Sequence, residues 1–116
     1  MNQKTIQNLA ENLWQEYCEI FPALVKFDCP KIVINNRFSK CAGVNRSEIN
    51  QVDLAGKFLA KFQNQILTET LPHELGHQID FNLNGWYARK PHHGKSWTDV
   101  MNKIGVPYSV YHNMVL

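Results

Sequence analysis

Hydrophobic residues near the N-terminus recur at steps of three or four, as on the buried face of an amphipathic helix. This stripe consists of Ile6, Leu9, Leu13, Tyr17 and Ile20. The pattern predicts a helix over about residues 2–20 that ends before Pro22, because a proline disfavours the helical conformation of the residue before it.

Three short segments after this helix have the composition of β-strands. Residues 31–35 are rich in β-branched side chains and follow Pro30, which is typical of a strand. Two more strands are predicted over residues 41–44 and 49–54, with the polar residues 45–47 as the turn between them. Together these segments predict a small antiparallel sheet.

A helical pattern returns over about residues 63–83 and ends at residues 84–85, Asn-Gly, since glycine readily takes the left-handed conformation of a helix terminus. A loop over residues 86–91 and a last helix over about residues 95–103 follow. The order of helix, small sheet, long helix and helix predicts an α+β fold. The absence of repeats and linkers predicts a single domain over residues 1–116.

Composition narrows the class of protein. The chain has 116 residues, 44% of them hydrophobic, which is enough to bury one core. No apolar stretch approaches the roughly 18 residues of a membrane span, so no membrane partner is expected. The net charge of +2 does not by itself indicate a nucleic-acid partner. Three irregularly spaced cysteines and an N-terminus unlike a signal peptide predict free thiols and a cytoplasmic location.

The main chemical signal is the segment 73–77, which reads His-Glu-Leu-Gly-His. Residues four apart lie about 40° apart around a helix, so His73 and His77 present two imidazoles from one face, as a zinc ion requires. Glu74 lies about 100° from His73, beside such an ion, where it can accept a proton from a water molecule. The opposite face carries Leu71, Leu75 and Ile79, which would pack against the core. The alternative is a pair of ordinary histidines on a helix.

Pro72, immediately before the motif, allows two local structures. In one, the helix begins with Thr70 as its N-cap and Pro72 in the first turn, where a missing N–H costs nothing. In the other, a longer helix is interrupted and kinked at Pro72.

The third metal ligand defines the type of site. No glutamate follows Glu74, and Leu83 stands six residues beyond His77, which excludes two common arrangements of the third ligand. The remaining candidates are Asp80, His92, His93, Asp99 and His112. Asp80 shares the helix face of the two histidines, but three ligands from one straight helix rarely converge on one ion. A role in orienting His77 from outside the ligand set suits Asp80 better.

His93 is the strongest of these candidates. It lies where the loop meets the last predicted helix, from which it can reach over the motif helix while Trp97 packs beneath that helix. His92 next to it is better explained as a neighbour that faces solvent.

The motif and the segment 93–97, which reads His-Gly-Lys-Ser-Trp, together resemble the SprT-like family, which includes the Spartan proteases. The resemblance covers about residues 2–106. Within the predicted sheet it also includes Asn36-Arg37, Ala42-Gly43 and Val52-Asp53-Leu54.

This resemblance implies a zincin-like minimal metallopeptidase domain that holds one zinc ion per chain through His73, His77 and His93. Glu74 would be the catalytic general base in the hydrolysis of peptide bonds in protein substrates, including DNA-associated proteins. The alternative function is a catalytically silent zinc-holding module that binds a protein or nucleic-acid partner. The presence of Glu74 argues against it, since a structural zinc site has no need of that carboxylate.

The resemblance does not extend to the four-cysteine zinc ribbon of many bacterial family members or to the DNA-binding extensions of the Spartan kind. We therefore expect a complete catalytic module and at most a weak association with DNA, through Arg89, Lys90 and Lys95. A solvated basic surface is the favoured interpretation of these three residues.

Overall fold

The computed structural model describes residues 1–85, 94–108 and 112–116. Its helices and strands, in chain order, are α1 (Gln3–Ile20), β1 (Lys31–Asn35), β2 (Gly43–Arg46), β3 (Gln51–Ala55), α2 (Gly56–Lys61), α3 (Gln63–Gln65), α4 (Leu71–Asn84) and α5 (Lys95–Ile104). The predicted α+β fold is confirmed. None of the helices among the described residues is long and apolar enough to cross a membrane.

Helix α1 has almost the predicted bounds, and the side chain of Asn2 caps it by accepting a hydrogen bond from the backbone N–H of Thr5 at 2.9 Å. Its buried residues are Ile6, Ala10, Trp14 and Tyr17. The predicted stripe is therefore rotated, and Ile20 is 41% exposed. The buried row is Ile6, Ala10 and Trp14, which are spaced by four. The indole N–H of Trp14 donates a hydrogen bond to the backbone carbonyl of Phe27, and this bond fixes which face of α1 is buried.

The sheet has the strand order β1–β3–β2 and is mixed. The antiparallel prediction is correct for β2 and β3 but wrong for β1 and β3, which run parallel. The chain crosses from β1 to the far edge, runs back as β2, and then inserts β3 between the two edge strands. The predicted turn at residues 45–47 is also displaced, since the chain turns at Ser47–Ile49 and at Asn50, which has a left-handed backbone.

The free edge of β1 is covered by two glutamine side chains from α1. Gln3 accepts a hydrogen bond from the N–H of Ile34 and donates one to the carbonyl of Ile32. Gln7 accepts from the N–H of Ile32 at 2.7 Å and donates to the carbonyl of Pro30 at 3.0 Å. These bonds satisfy backbone groups that an edge strand would otherwise leave open, and they fix α1 against the sheet.

The hydrophobic core joins one face of the sheet to α1 and α4. Ile32, Val52 and Leu54 supply the sheet side and are fully buried. The predicted inner face of α4 is confirmed, since Leu71, Leu75 and Ile79 are all 0% exposed. That packing turns the opposite face of α4, which carries the two histidines, away from the core.

The segment before α4 is helical and continues into α4 without a break. Pro72 therefore lies inside a longer helical run, which is the second of the two local structures predicted for it. A π turn over Ile66–Thr70 leads directly into α4, and the N–H of Leu71 bonds to the carbonyl of Ile66. Thr70 has helical dihedral angles and makes no capping hydrogen bond. The wider π turn accommodates Pro72, which cannot donate the next helical hydrogen bond. Helix α2, which buries Phe58 and Leu59, was not predicted.

Candidate metal centre

Helix α4 brings His73, Glu74 and His77 together, with their potential ligand atoms all within 4.8 Å of one another. The Nε2 atoms of the two histidines are 3.2 Å apart. Two nitrogen ligands of a tetrahedral zinc ion, at the usual Zn–N distance, lie about 3.3 Å from each other. The donor pair therefore fits zinc in both chemistry and spacing.

The ring of Trp97 on α5 packs against the imidazoles of both His73 and His77. Its ring lies 4.9 Å from that of His77, nearly parallel to it at 16°, and 4.7 Å from that of His73. Its indole N–H points to the backbone carbonyl of His73 at 3.4 Å. Trp97 is fully buried, as its predicted position beneath the motif helix requires. The contact restricts the two imidazole planes and so favours a fixed ligand geometry.

Glu74 is buried beside the histidines, with Oε2 at 3.9 Å from the Nε2 atom of His73. Burial raises the pKa of Glu74 to about 8, and a hydrogen bond from the backbone N–H of Asn45 opposes part of that rise. A carboxylate whose pKa lies near neutrality can both accept and release a proton under physiological conditions.

Strand β2 passes directly over this carboxylate because Gly43 has no side chain. A Cβ atom there would lie 3.0 Å from the Cγ2 atom of Thr70 and 3.3 Å from the Cγ atom of Glu74. It would also lie 3.3 Å from the backbone oxygen of Asp53 on β3. A glycine is therefore needed for the strand to approach α4 this closely. The three motif residues line an open cleft together with residues of β2 and with Tyr108, which follows α5.

The profile of the SprT-like family matches residues 6–113. This chain belongs to the SprT-like family. It is 30% identical over 90 residues to Protein SprT of Vibrio atlanticus (strain LGP32), which covers 77% of this chain and 52% of that protein. It is 33% identical over 78 residues to Protein SprT of Vibrio parahaemolyticus serotype O3:K6 (strain RIMD 2210633), with coverages of 67% and 45%. The chain thus spans about half the length of these curated relatives. No solved structure matches it significantly.

In this SprT-like chain, Asp80 connects the motif helix α4 to α5 through a hydrogen bond. Its carboxylate accepts hydrogen bonds from the side-chain amide of Asn84 at 2.8 Å and from the hydroxyl of Ser96 at 3.1 Å. Ser96 belongs to the His-Gly-Lys-Ser-Trp segment, so the bond holds the residues that follow His93. The role of Asp80 in orienting His77 stays a prediction.

Of the other predicted site residues, some lie among the described residues and some do not. His92, His93, Arg89 and Lys90 lie outside the described residues. Lys95 and Asp99 form an exposed ion pair at 3.0 Å, which offsets the charge of Lys95. The Nε2 atom of His112 lies 2.7 Å from the backbone carbonyl of Lys40, and its ring packs against Phe58. Among the described residues, Asp99 and His112 do not join the group of His73, Glu74 and His77.

Sequence reasoning missed two residues next to this centre, Asn45 and Gln78. Asn45 was assigned to a turn, whereas it lies in β2, where its backbone lowers the pKa of Glu74. Gln78 is 1% exposed and binds Asn45 through its side chain. The sequence did carry a signal for Gln78, since it stands four residues after Glu74 and therefore on the same face of the helix.

Proposed function

We propose that this chain is a zinc-dependent endopeptidase that hydrolyses peptide bonds of protein substrates. His73 and His77 would bind the zinc ion with His93 as the third ligand, and Glu74 would be the general base. The observation that carries the proposal is the spacing of 3.2 Å between the two Nε2 atoms, with a buried carboxylate at their side. Membership of the SprT-like family supports it.

A zinc ion bound by three histidines supplies Lewis-acid polarisation of a carbonyl and lowers the pKa of a water molecule. The side chains of the protein hold and orient the reacting groups and transfer a proton. Glu74 takes a proton from the attacking water at a carboxylate oxygen and passes it to the nitrogen of the leaving amine. A positive charge beside a carboxylate favours its ionised form, so burial and a bound cation act on Glu74 in opposite directions.

The decisive variant is Glu74→Gln, which has nearly the same shape but cannot accept a proton at neutral pH. Because the proposal does not make Glu74 a ligand, the variant should fold and bind zinc as the wild type does. Its rate of cleavage of labelled casein should fall by at least about a hundredfold. Glu19→Gln is the matched control, since it removes the same charge from an exposed position on α1 and should cut at the wild-type rate.

Two results would contradict the proposal in different ways. If Glu74→Gln cleaves casein as fast as the wild type, Glu74 is not the base. If the zinc-loaded wild type cleaves no disordered protein, alone or in the presence of DNA, the chain is a zinc-holding binding module.

A further inference from the structure

Phe81 lies on the face of α4 that carries the motif residues. It follows His77 by one helical turn and Glu74 by two, so the three side chains project from the same side of the helix. Phe81 is half-buried and lines the same cleft as the motif residues. An aromatic ring is therefore part of the cleft surface on the C-terminal side of the histidine pair.

The turn Ser47–Ile49 lies beside this end of α4 and also lines the cleft. The Nε2 atom of Gln78 donates a hydrogen bond to the backbone carbonyl of Ser47 at 3.2 Å. Gln78 stands three residues before Phe81, so the turn is attached to α4 within one helical turn of the ring. Ile49, the last residue of the turn, is 65% exposed. Ile49 and Phe81 thus lie at the same end of the cleft.

The backbone next to Ile49 is fixed by hydrogen bonds. The N–H of Asn50 donates to the carbonyl of Ser47 at 3.2 Å, and the carbonyl of Asn50 accepts from the N–H of Lys31 at 3.0 Å. The side chain of Asn50 donates to the carbonyl of Asp28 at 3.0 Å, and its left-handed φ of 54° completes the turn. The turn therefore presents Ile49 in a defined place, and a ligand that contacts it pays little entropy for ordering the chain.

The opposite end of the cleft is lined by polar side chains. They come from the helical run before His73 and from the segment bonded to it, and they include Gln65, Thr68, Glu69 and Asn113. The side-chain amide of Gln65 donates to the Oδ1 atom of Asn113 at 2.9 Å, which places the two segments side by side. A polypeptide that lies along α4 would meet polar groups at this end and the two apolar side chains at the other.

We propose that Ile49 and Phe81 form a specificity subsite, which accepts a large apolar side chain of the substrate next to the bond that is cleaved. Contact with Ile49 and Phe81 removes apolar surface of both partners from water, which favours binding. One methylene group more or less in an apolar pocket changes discrimination by about 10- to 200-fold, and an open subsite belongs at the lower end of that range. The inference rests on the proposed function, and the experiments below separate the two.

The first experiment maps the bonds that the zinc-loaded protein cleaves in a mixture of unfolded proteins, by mass spectrometry of the fragments. Leucine, isoleucine, methionine and phenylalanine should be enriched about tenfold over polar residues at one fixed position beside the cleaved bond. Ile49→Ser should reduce this enrichment to less than about threefold. Val25→Ser is the matched control, because Val25 is a β-branched residue that is 70% exposed and lies outside the cleft lining. It should keep the wild-type enrichment.

A second substitution tests whether this position can be given a new preference. Ile49→Glu should favour lysine and arginine at the same position, because its carboxylate attracts a cation and offers little apolar surface. Ile49 is exposed, so neither substitution should change the urea midpoint or the zinc content of the protein. Cleavage of the same bonds by the wild type and both variants would overturn the inference, as would a wild type that shows no apolar preference.

A measurement independent of cleavage uses NMR of the 15N-labelled, zinc-loaded protein. N-acetyl-leucinamide should shift the backbone amide signals of Ile49 and Phe81, and N-acetyl-serinamide should not. Ile49→Ser should weaken the shift at Phe81, and Val25→Ser should leave it as in the wild type. If no protein is cleaved but these shifts are seen, the proposed function fails and the apolar subsite stands as a binding site. If N-acetyl-leucinamide leaves both signals unchanged, Ile49 and Phe81 form no such subsite.

Discussion

The Nε2 atoms of His73 and His77 face each other at 3.2 Å across one turn of α4. Without a metal, one of these nitrogens can donate a hydrogen bond to the other. With zinc between them, both must offer a lone pair, so each imidazole carries its proton on Nδ1. A single metal ion can therefore replace the proton that the two nitrogens share when no metal is bound.

This relationship predicts that the purified protein carries about one zinc ion per chain. Replacing His77 by Ala removes one of the two facing nitrogens and should weaken zinc retention by orders of magnitude. His93→Ala should have a similar effect if His93 is the third ligand, and His92→Ala should have little. Elemental analysis of the variants after dialysis against a weak chelator measures the difference. Equal zinc losses in His92→Ala and His93→Ala would contradict the choice of His93.

The local part of this centre follows from the sequence alone. A motif with a spacing of four on a helix fixes the relative directions of His73 and His77 whatever surrounds them. The apolar positions Leu71, Leu75 and Ile79 determine which face of the helix turns inward. Both features depend only on helix geometry, which is why they were predicted correctly.

The contacts between strand and helix could not be predicted in the same way. Asn45-Arg46-Ser47 has the composition of a turn, but pairing with β3 places Asn45 and Arg46 in a strand. Such pairing depends on residues distant in sequence and overrides local propensity. The parallel pairing of β1 and β3 was missed for the same reason, and with it the approach of Asn45 to Glu74.

Gly43 should be sensitive to the addition of one methyl group. In Gly43→Ala the new Cβ atom meets Thr70, Glu74 and the backbone of β3 at 3.0–3.3 Å, so the strand or these neighbours must shift by a few tenths of an ångström. We expect a loss of about 1–3 kcal/mol in the free energy of unfolding, as for overpacked sites, with a larger relative loss of cleavage rate. Urea unfolding and casein cleavage measure the two effects.

A second substitution tests the cause of that loss. Thr70→Ser removes the Cγ2 methyl group, which is the nearest atom to the added Cβ. The double variant Gly43→Ala/Thr70→Ser should therefore recover part of the stability lost in Gly43→Ala. No recovery would show that the contacts with Glu74 and the backbone of Asp53 determine the cost.

The stability of the fold should depend on pH through Asp53, which lies on the central strand β3. Burial alone would raise the pKa of this carboxyl. Hydrogen bonds from the side chains of Gln51, Asn35 and Arg46, together with the charge of Arg46, outweigh burial and hold the pKa below its usual value.

A carboxyl group with a depressed folded-state pKa stabilises the fold above its unfolded-state pKa of about 3.9 and loses that contribution as the pH falls through the folded-state value. Asp53→Asn should therefore lower the free energy of unfolding by about 1.5–3 kcal/mol at pH 7, the range for hydrogen bonds to charged groups. Urea titrations at pH 7 and at pH 3 should show the gap between variant and wild type narrowing at the lower pH. Asp99→Asn is the control, because its exposed pair with Lys95 should change stability by less than about 0.5 kcal/mol. If the gap at Asp53 is the same at both pH values, the carboxylate charge does not contribute, and the loss comes from the shape of the side chain alone.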